Sequence, residues 1–302
     1  MNQEPAWDLY RSFLAVLREG SLSGAARSLG LTQPTVSRHV EALEAAMGLD
    51  LFVRSQRGLT PTEAALELGP YAETIASTTA AMLRAASAHG AMVSGTVRIS
   101  ASEVVGVEVL PPILAALRER HPLLVIELVL SNTVENLLRR DADIAVRMVE
   151  PTQEALVARR VGAIALGLHA HRRYLDRRGV PATLADLARH DVIGFDRETP
   201  AIRAMLKRVQ GVDRSAFALR ADSDLAQLAM IRAGFGIGAC QVPVAARDSD
   251  LVRVLPDAFR LDLPTWVVMH EDLRSSPRCR AVFDALVEGM SAHAGADLGQ
   301  HS

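Results

Sequence analysis

SLSGAARSLGLTQPTVSRHVEALE, residues 21–44, reads as two short helices joined by a tight turn. Leu22, Ala25, Ala26 and Leu29 share one face of the first helix, and the chain turns through Gly30 and Leu31. Thr32 suits the N-cap of the second helix, because its hydroxyl accepts an orphan first-turn N–H. Pro34 falls in that first turn, where a missing N–H costs little. Val36, Val40 and Leu43 continue the apolar face. Gln33, Thr35, Ser37, Arg38 and His39 are left largely outward, as a helix reading base edges in a major groove requires. The two alanines allow close, steep packing, so the stretch is a helix-turn-helix.

The flanks support that reading. Trp7 to Arg18 is an amphipathic helix carrying Leu9, Phe13, Val16 and Leu17, a third wall for a small core. Leu51 to Thr60 reads as a hairpin with its turn at Ser55–Gly58, a wing bearing Arg54 and Arg57 for phosphate or minor-groove contact. Thr62 to about Ala88 is a long Ala-rich helix. Leu68, Ala72, Ile75, Thr79, Met82 and Ala86 step along it as a heptad seam that calls for a partner helix. Gly69-Pro70 should distort its early turns. Ser87 to Gly95 reads as a hinge.

Charge alone does not announce nucleic acid. The 302 residues carry a formal net charge of −2, and the first 65 hold six Arg and seven acids, a net of 6 − 7 = −1. DNA affinity must therefore come from where the arginines lie. Two cysteines, Cys240 and Cys279, make neither a disulfide framework nor a metal set. No basic start leads into a long apolar run, and no 18-residue apolar window occurs, so a soluble cytoplasmic chain with no membrane span is expected.

From Thr96 onward, strands alternate with helices, which predicts an open, mainly parallel α/β sheet. Strands are expected at 96–100, 124–130, 143–147, within 157–168, and at 192–195, 217–221, 237–240 and 266–270. Helices are expected at 109–120, 134–139, 184–188, 201–209, 223–233, 242–247 and 278–290. The fold class is thus α+β multidomain. Residues 1–62 form the winged helix-turn-helix, 63–94 a linker helix and hinge, and 95–295 an α/β domain. Its first lobe takes about 95–165 and 266–295, its second about 166–265. Two crossings make a hinged cleft suited to a small ligand.

Strand C-termini and helix N-termini should line that cleft and favour an anionic group. The candidates are Ser102, Glu103, Ser131, Asn132, Thr133 and Arg147 from the first lobe, and Phe195, Asp222 and Ser223 from the second. Ser102 and Thr133 offer hydroxyls to a carboxylate, and Arg147 offers charge. Ser131 and Asp222 equally suit helix capping, and Arg147 equally suits an ion pair with Asp143 or Glu150. Glu103 and Asp222 leave room for an amine or hydroxyl, so a carboxylate or an amino-acid-like metabolite fits.

The chain resembles the LysR-type transcriptional regulators over nearly its whole length. Phe13, Ala25-Ala26, Leu29, Gln33-Pro34, Val36-Ser37, Leu43-Glu44, Gly48, Leu51-Phe52, Arg54 and Leu59-Thr60-Pro61-Thr62 carry the resemblance. Downstream, Gly95–Ile99, Leu110-Pro111, His121-Pro122, Asp143–Arg147, Gly234–Ile237, Val242-Pro243 and His270–Arg278 follow in the family's order. Ala65 departs from the glycine common there. The resemblance implies a winged helix-turn-helix, a dimerising linker helix and a periplasmic-binding-protein-like effector domain. It also implies promoter DNA as partner, a small-molecule effector, and dimers or tetramers. No cofactor and no enzymatic role are expected. The rival class is a small-molecule binding protein or enzyme with an incidental helical head. Gly234-Phe-Gly-Ile-Gly238 precedes a strand instead of opening a helix, which argues against a dinucleotide loop. His169 and His171 lack a carboxylate or Cys cluster to make a metal site.

Overall fold

The computed structural model describes residues 5–55, 58–86, 93–132, 142–151, 156–199, 202–203, 206 and 214–296. The chain divides into two compact units, residues 1–85 and residues 86–302 apart from 138–141.

In the first unit, helices α1 (Trp7–Glu19), α2 (Leu22–Leu29) and α3 (Gln33–Met47) wrap a core in which Phe13, Val16, Ala25, Val36 and Leu43 are buried. Ser21 caps α2 by accepting from the Gly24 amide at 3.1 Å. Gly30, at φ 66°, ends α2 in left-handed backbone, and the Leu31 amide reaches back to the Ala26 carbonyl. Strands β1 (Phe52–Ser55) and β2 (Gly58–Pro61) pair antiparallel as the wing. Thr62 accepts from the Ala65 amide at the start of helix α4 (Glu63–Ala86). Ala65 is fully buried in the core.

Helix α4 runs unbroken through Pro70, and it differs from expectation in that its apolar residues divide between a buried and an exposed flank. Leu68, Ala72 and Ala76 join Ala65 against Phe13 and Leu43, whereas Tyr71, Ile75 and Met82 are 70%, 40% and 68% exposed. At 100° per residue, positions 65, 68, 72 and 76 span about 80°, and positions 71, 75 and 82 fill the adjoining arc of about 40°, with 75 only about 20° from 68. The single seam read from the sequence therefore mixes an internal stripe with an outward one.

The second unit is less parallel than expected. Strands β3 (Gly95–Ala101), β4 (Leu124–Leu130) and β5 (Ile144–Arg147) are parallel to one another, with β3 central. The two longest strands, β6 (Leu156–His171) and β11 (Leu261–His270), run antiparallel along each other. They link the lobes as continuous strands, so each crossing lies inside a strand. A register shift at Thr265/Trp266, opposite Gly162, kinks the ribbon. The first lobe is completed by a π-turn at Val105–Val109, α5 (Leu110–Arg120) and the C-terminal helix α9 (Pro277–Gly295).

In the second lobe, the end of β6 pairs with β9 (Gly238–Gln241) and β10 (Leu251–Val254). Strands β7 (Val192–Gly194) and β8 (Phe217–Arg220) join through a Val192–Ile237 bridge. Gly236 serves this approach, since a Cβ there would stand 1.9 Å from the Asp191 carbonyl oxygen. Helices α6 (Arg172–Arg178), α7 (Asp224–Arg232) and α8 (Val242–Ala245) complete the lobe. The sequence reading missed α6 and β10. The helices expected at 134–139 and, for most of its length, at 201–209 lie outside the described residues, as does hinge segment 87–92.

Candidate nucleic-acid interface and effector cleft

On α3, Thr32 Oγ1 accepts from the Thr35 amide at 3.4 Å and lies 2.8 Å from the Thr35 hydroxyl. Ser37 donates to Glu41 Oε1 at 2.9 Å, one helical turn on. His39 is not left outward: its Nδ1 lies 2.8 Å from the buried Ser12 hydroxyl, tying α3 to α1. Gln33, Pro34 and Arg38 stay exposed. Thus the helix presents an amide and a guanidinium, the groups that bond base edges bidentately, beside short hydroxyls engaged locally.

Glu44 sets the wing. Its Oε1 accepts from the Leu51 and Phe52 amides at 2.7 and 3.2 Å, fixing the start of β1 to α3. The Phe52 ring stands 5.7 Å from that of Phe13. Arg54 lies in β1 and its side chain is outside the described atoms, as is Arg57 entirely.

Between the lobes of the second unit, Glu103, Asn132 and Ser223 come together. Glu103 Oε2 accepts from the Ser223 hydroxyl at 2.7 Å and the Leu225 amide at 3.5 Å. The Glu103 amide donates to Asn132 Oδ1 at 3.1 Å, and Asn132 Nδ2 donates to Asp224 Oδ2 at 3.1 Å. Ser223 also caps α7, accepting from the Ala226 amide. The N-terminus expected to hold a ligand's anion therefore holds the protein's own carboxylate, Glu103, from the opposite lobe. Burial, and then the Glu103 charge, push the Asp224 carboxyl up from 3.8 to about 6. Asp224 was missed because an acid directly after a cap reads as ordinary first-turn charge.

Among the other cleft candidates, Asp222 and Arg147 are engaged within their own lobes. Asp222 accepts from the Asp196 and Arg197 amides at 3.1 and 2.9 Å, organising the loop after β7. Phe195 lines a small void of about 40 Å³ inside the second lobe, with Phe217 and Gln227. Arg147 is buried; it donates to the Ser100 hydroxyl at 2.6 Å and the Val146 carbonyl at 3.0 Å, and pairs with neither Asp143 nor Glu150. Burial lowers its pKa. Ser131 extends the β3–β4 pairing through its amide to Ala101, and Ser102 is half-buried at the start of the turn after β3. Thr133 lies outside the described residues.

Elsewhere, His169 Nδ1 lies 3.0 Å from the Gly167 carbonyl oxygen and 3.3 Å from Cys240 Sγ. Burial holds the imidazole down at about 4 and the thiol up at about 12, so the pair is neutral and unsuited to nucleophilic chemistry. His171 caps α6, accepting from the Arg173 amide.

A winged helix-turn-helix joined to a two-lobed ligand-binding fold defines a ligand-responsive transcription regulator. The model for the "Bacterial regulatory helix-turn-helix protein, lysR family" matches residues 7–66, and that for the "LysR substrate binding domain" matches residues 90–291; the chain belongs to the LysR family of transcriptional regulators. It is 27% identical over 291 residues to the probable HTH-type transcriptional regulator LtrA of Klebsiella pneumoniae, covering 93% of each chain. The structure of CrgA, a LysR-type transcriptional regulator from Neisseria meningitidis, superposes with a TM-score of 0.58 at 26% identity, covering 94% of this chain and 98% of that one. Full-length CbnR complexed with its target DNA shares the fold, with a TM-score of 0.64 at 22% identity over 96% of this chain and all of that one. No helix among the described residues is long and apolar enough to cross a membrane.

Proposed function

We propose that this regulator reads promoter DNA through Gln33 and Arg38 and takes an amine-bearing, amino-acid-like effector between Glu103 and Asp224. On the DNA side, Arg54 and Arg57 hold phosphates, Thr35 and Ser37 contribute backbone contacts beside Pro34, and His39 sets the angle of α3 through Ser12. The chain works as a homo-oligomer, with residues 63–94 as the pairing element. Two apolar surfaces support this: the outward Tyr71–Ile75–Met82 stripe of α4, and the edge strand β4, where Val125 is 53% and Leu130 40% exposed. A two-fold pair meets two half-sites.

The contact of Glu103 with Ser223 and Leu225, beside Asp224, carries the effector assignment. A carboxylate entering this cleft meets two like charges. An ammonium group meets two acceptors and the Asn132 carbonyl, each capable of a charge-assisted hydrogen bond. Its arrival exchanges the Glu103–Ser223 contact for ligand contacts and so alters how the lobes are held. The test is fluorescence anisotropy of the full chain on its own upstream duplex, with amino acids and diamines added singly. An amine that shifts DNA affinity in the wild type, and not in Glu103→Gln, supports the assignment. A shift produced only by amine-free carboxylates, and retained in Glu103→Gln, contradicts it.

A further inference from the structure

A second groove of about 570 Å³ lies in the effector unit and shares no residue with the Glu103–Asp224 cleft. Its size falls in the range of small-ligand sites. Val109 and Ile113 form the first-lobe wall with Ala292 of α9, and Val242 and Pro243 of α8 form the second-lobe wall. Among the described residues its polar side chains are Arg247 and His293, with no acid in the lining.

Those two residues belong to a chain of bonds that crosses between the lobes. Arg247 Nη1 donates to the Glu108 carbonyl oxygen at 2.6 Å, and Nη2 lies 3.2 Å from His293 Nδ1. His293 Nε2 lies 3.1 Å from Gln241 Oε1. Burial and the Arg247 charge hold the His293 imidazole down at about 4, so the ring is neutral near pH 7. Nδ1 then accepts from the guanidinium, and Nε2–H donates to Gln241. The Glu108 carboxylate is engaged by Arg232 at 2.6 and 2.9 Å. Arg247 forms no ion pair with a carboxylate among the described residues, and the bonds above use two of its five N–H groups. The groove therefore has apolar walls and one cation at its rim, and the nearby Glu108 carboxylate is held by Arg232.

We propose that this groove is a second small-molecule site, for a compact apolar carboxylate whose ring lies between Ile113 and Pro243 and whose anion pairs with Arg247. Because its walls come from both lobes and Arg247 bridges them, occupancy bears on the same interlobe arrangement that the cleft governs.

The experiment is ligand-observed NMR titration of the full chain with cyclohexanecarboxylate, cyclohexylmethanol and cyclohexylmethylamine. The carboxylate should bind about tenfold or more tighter than the alcohol, and the amine weakest. Arg247→Met should bring the carboxylate down to the alcohol's affinity. Ala292→Phe and Ala246→Phe, at exposed positions on opposite walls, should each block binding, with folding checked by circular dichroism. Glu103→Gln should leave the preference for carboxylate over alcohol unchanged, which separates this site from the cleft. Equal affinity for carboxylate and alcohol overturns the proposal, as does binding unaffected by Arg247→Met or by both filling variants. Binding that appears only after removal of residues 297–302 also overturns it, assigning the groove to the chain's own end.

Discussion

The reading head and the interlobe cleft hold their polar side chains in opposite ways. Among the hydroxyls on the outward face of α3 the bonds are local, Thr32 with Thr35 and Ser37 with Glu41, while His39 and Glu44 reach back to Ser12 and the wing. Arg38 and Gln33 are exposed and form no side-chain hydrogen bond among the described residues. In the cleft the bonds span long separations: Glu103 to Asn132 over 29 positions, Asn132 to Asp224 over 92, and Ser223 to Glu103 over 120. The head is prepared for a partner by leaving groups unengaged. The cleft is engaged with itself, and its partner must exchange with existing contacts.

That contrast is broken most severely at the head's core. Ala25 is fully buried between helices, so Ala25→Asp places an unpaired charge there and should cost more than about 4 kcal/mol. Calorimetry should lose the transition of the first unit, and DNA binding should vanish with it. Next comes the split between engaged and unengaged side chains of α3. Arg38→Ala should weaken specific DNA binding by about 1–3 kcal/mol in an anisotropy titration. Ser37→Ala, whose hydroxyl is already committed to Glu41, should cost less than Arg38→Ala.

The cleft carries a pH dependence of its own. The folded-state value of Asp224, about 6, lies above its ordinary 3.8, so the native state holds that proton more tightly. Its contribution is complete below the ordinary value and is lost as pH rises through about 6. Asp224→Asn should remove this dependence and raise stability at pH 7.5 by about 1 kcal/mol after allowance for solvent screening. Melting temperatures between pH 4 and 7.5 check it; a parallel pH profile in the variant contradicts the assignment. A smaller, purely local effect is expected at Ser21→Ala, which removes the α2 cap for about 0.5 kcal/mol and leaves the pH profile unchanged.

The same difference explains what the sequence made legible. Thr32, Pro34 and Gly30 declare their roles within three or four residues, so the caps and turn of the reading head could be placed from spacing alone. The hairpin was legible because Phe52–Ser55 and Gly58–Pro61 are adjacent. His39 was misread because its partner, Ser12, lies 27 positions away. The mixed sheet was missed because β6 and β11 are separated by most of the second lobe, and antiparallel pairing at that distance leaves no local trace. Ser223 announced itself as a cap, but nothing near it in sequence reveals that Glu103 fills the site it builds. Arg147 was read as a ligand donor because it ends a strand; only the fold shows it buried on Ser100.

The central claim is that the cleft is an acidic receptor for a cationic group, closed on itself through Glu103. It is tested most directly by a thermal-shift panel of amines, amino acids and amine-free carboxylates on the wild type and Glu103→Gln at pH 7.5. Stabilisation by amine-bearing compounds, lost in Glu103→Gln, is the expected result. Stabilisation by amine-free carboxylates that persists or grows in Glu103→Gln would contradict it.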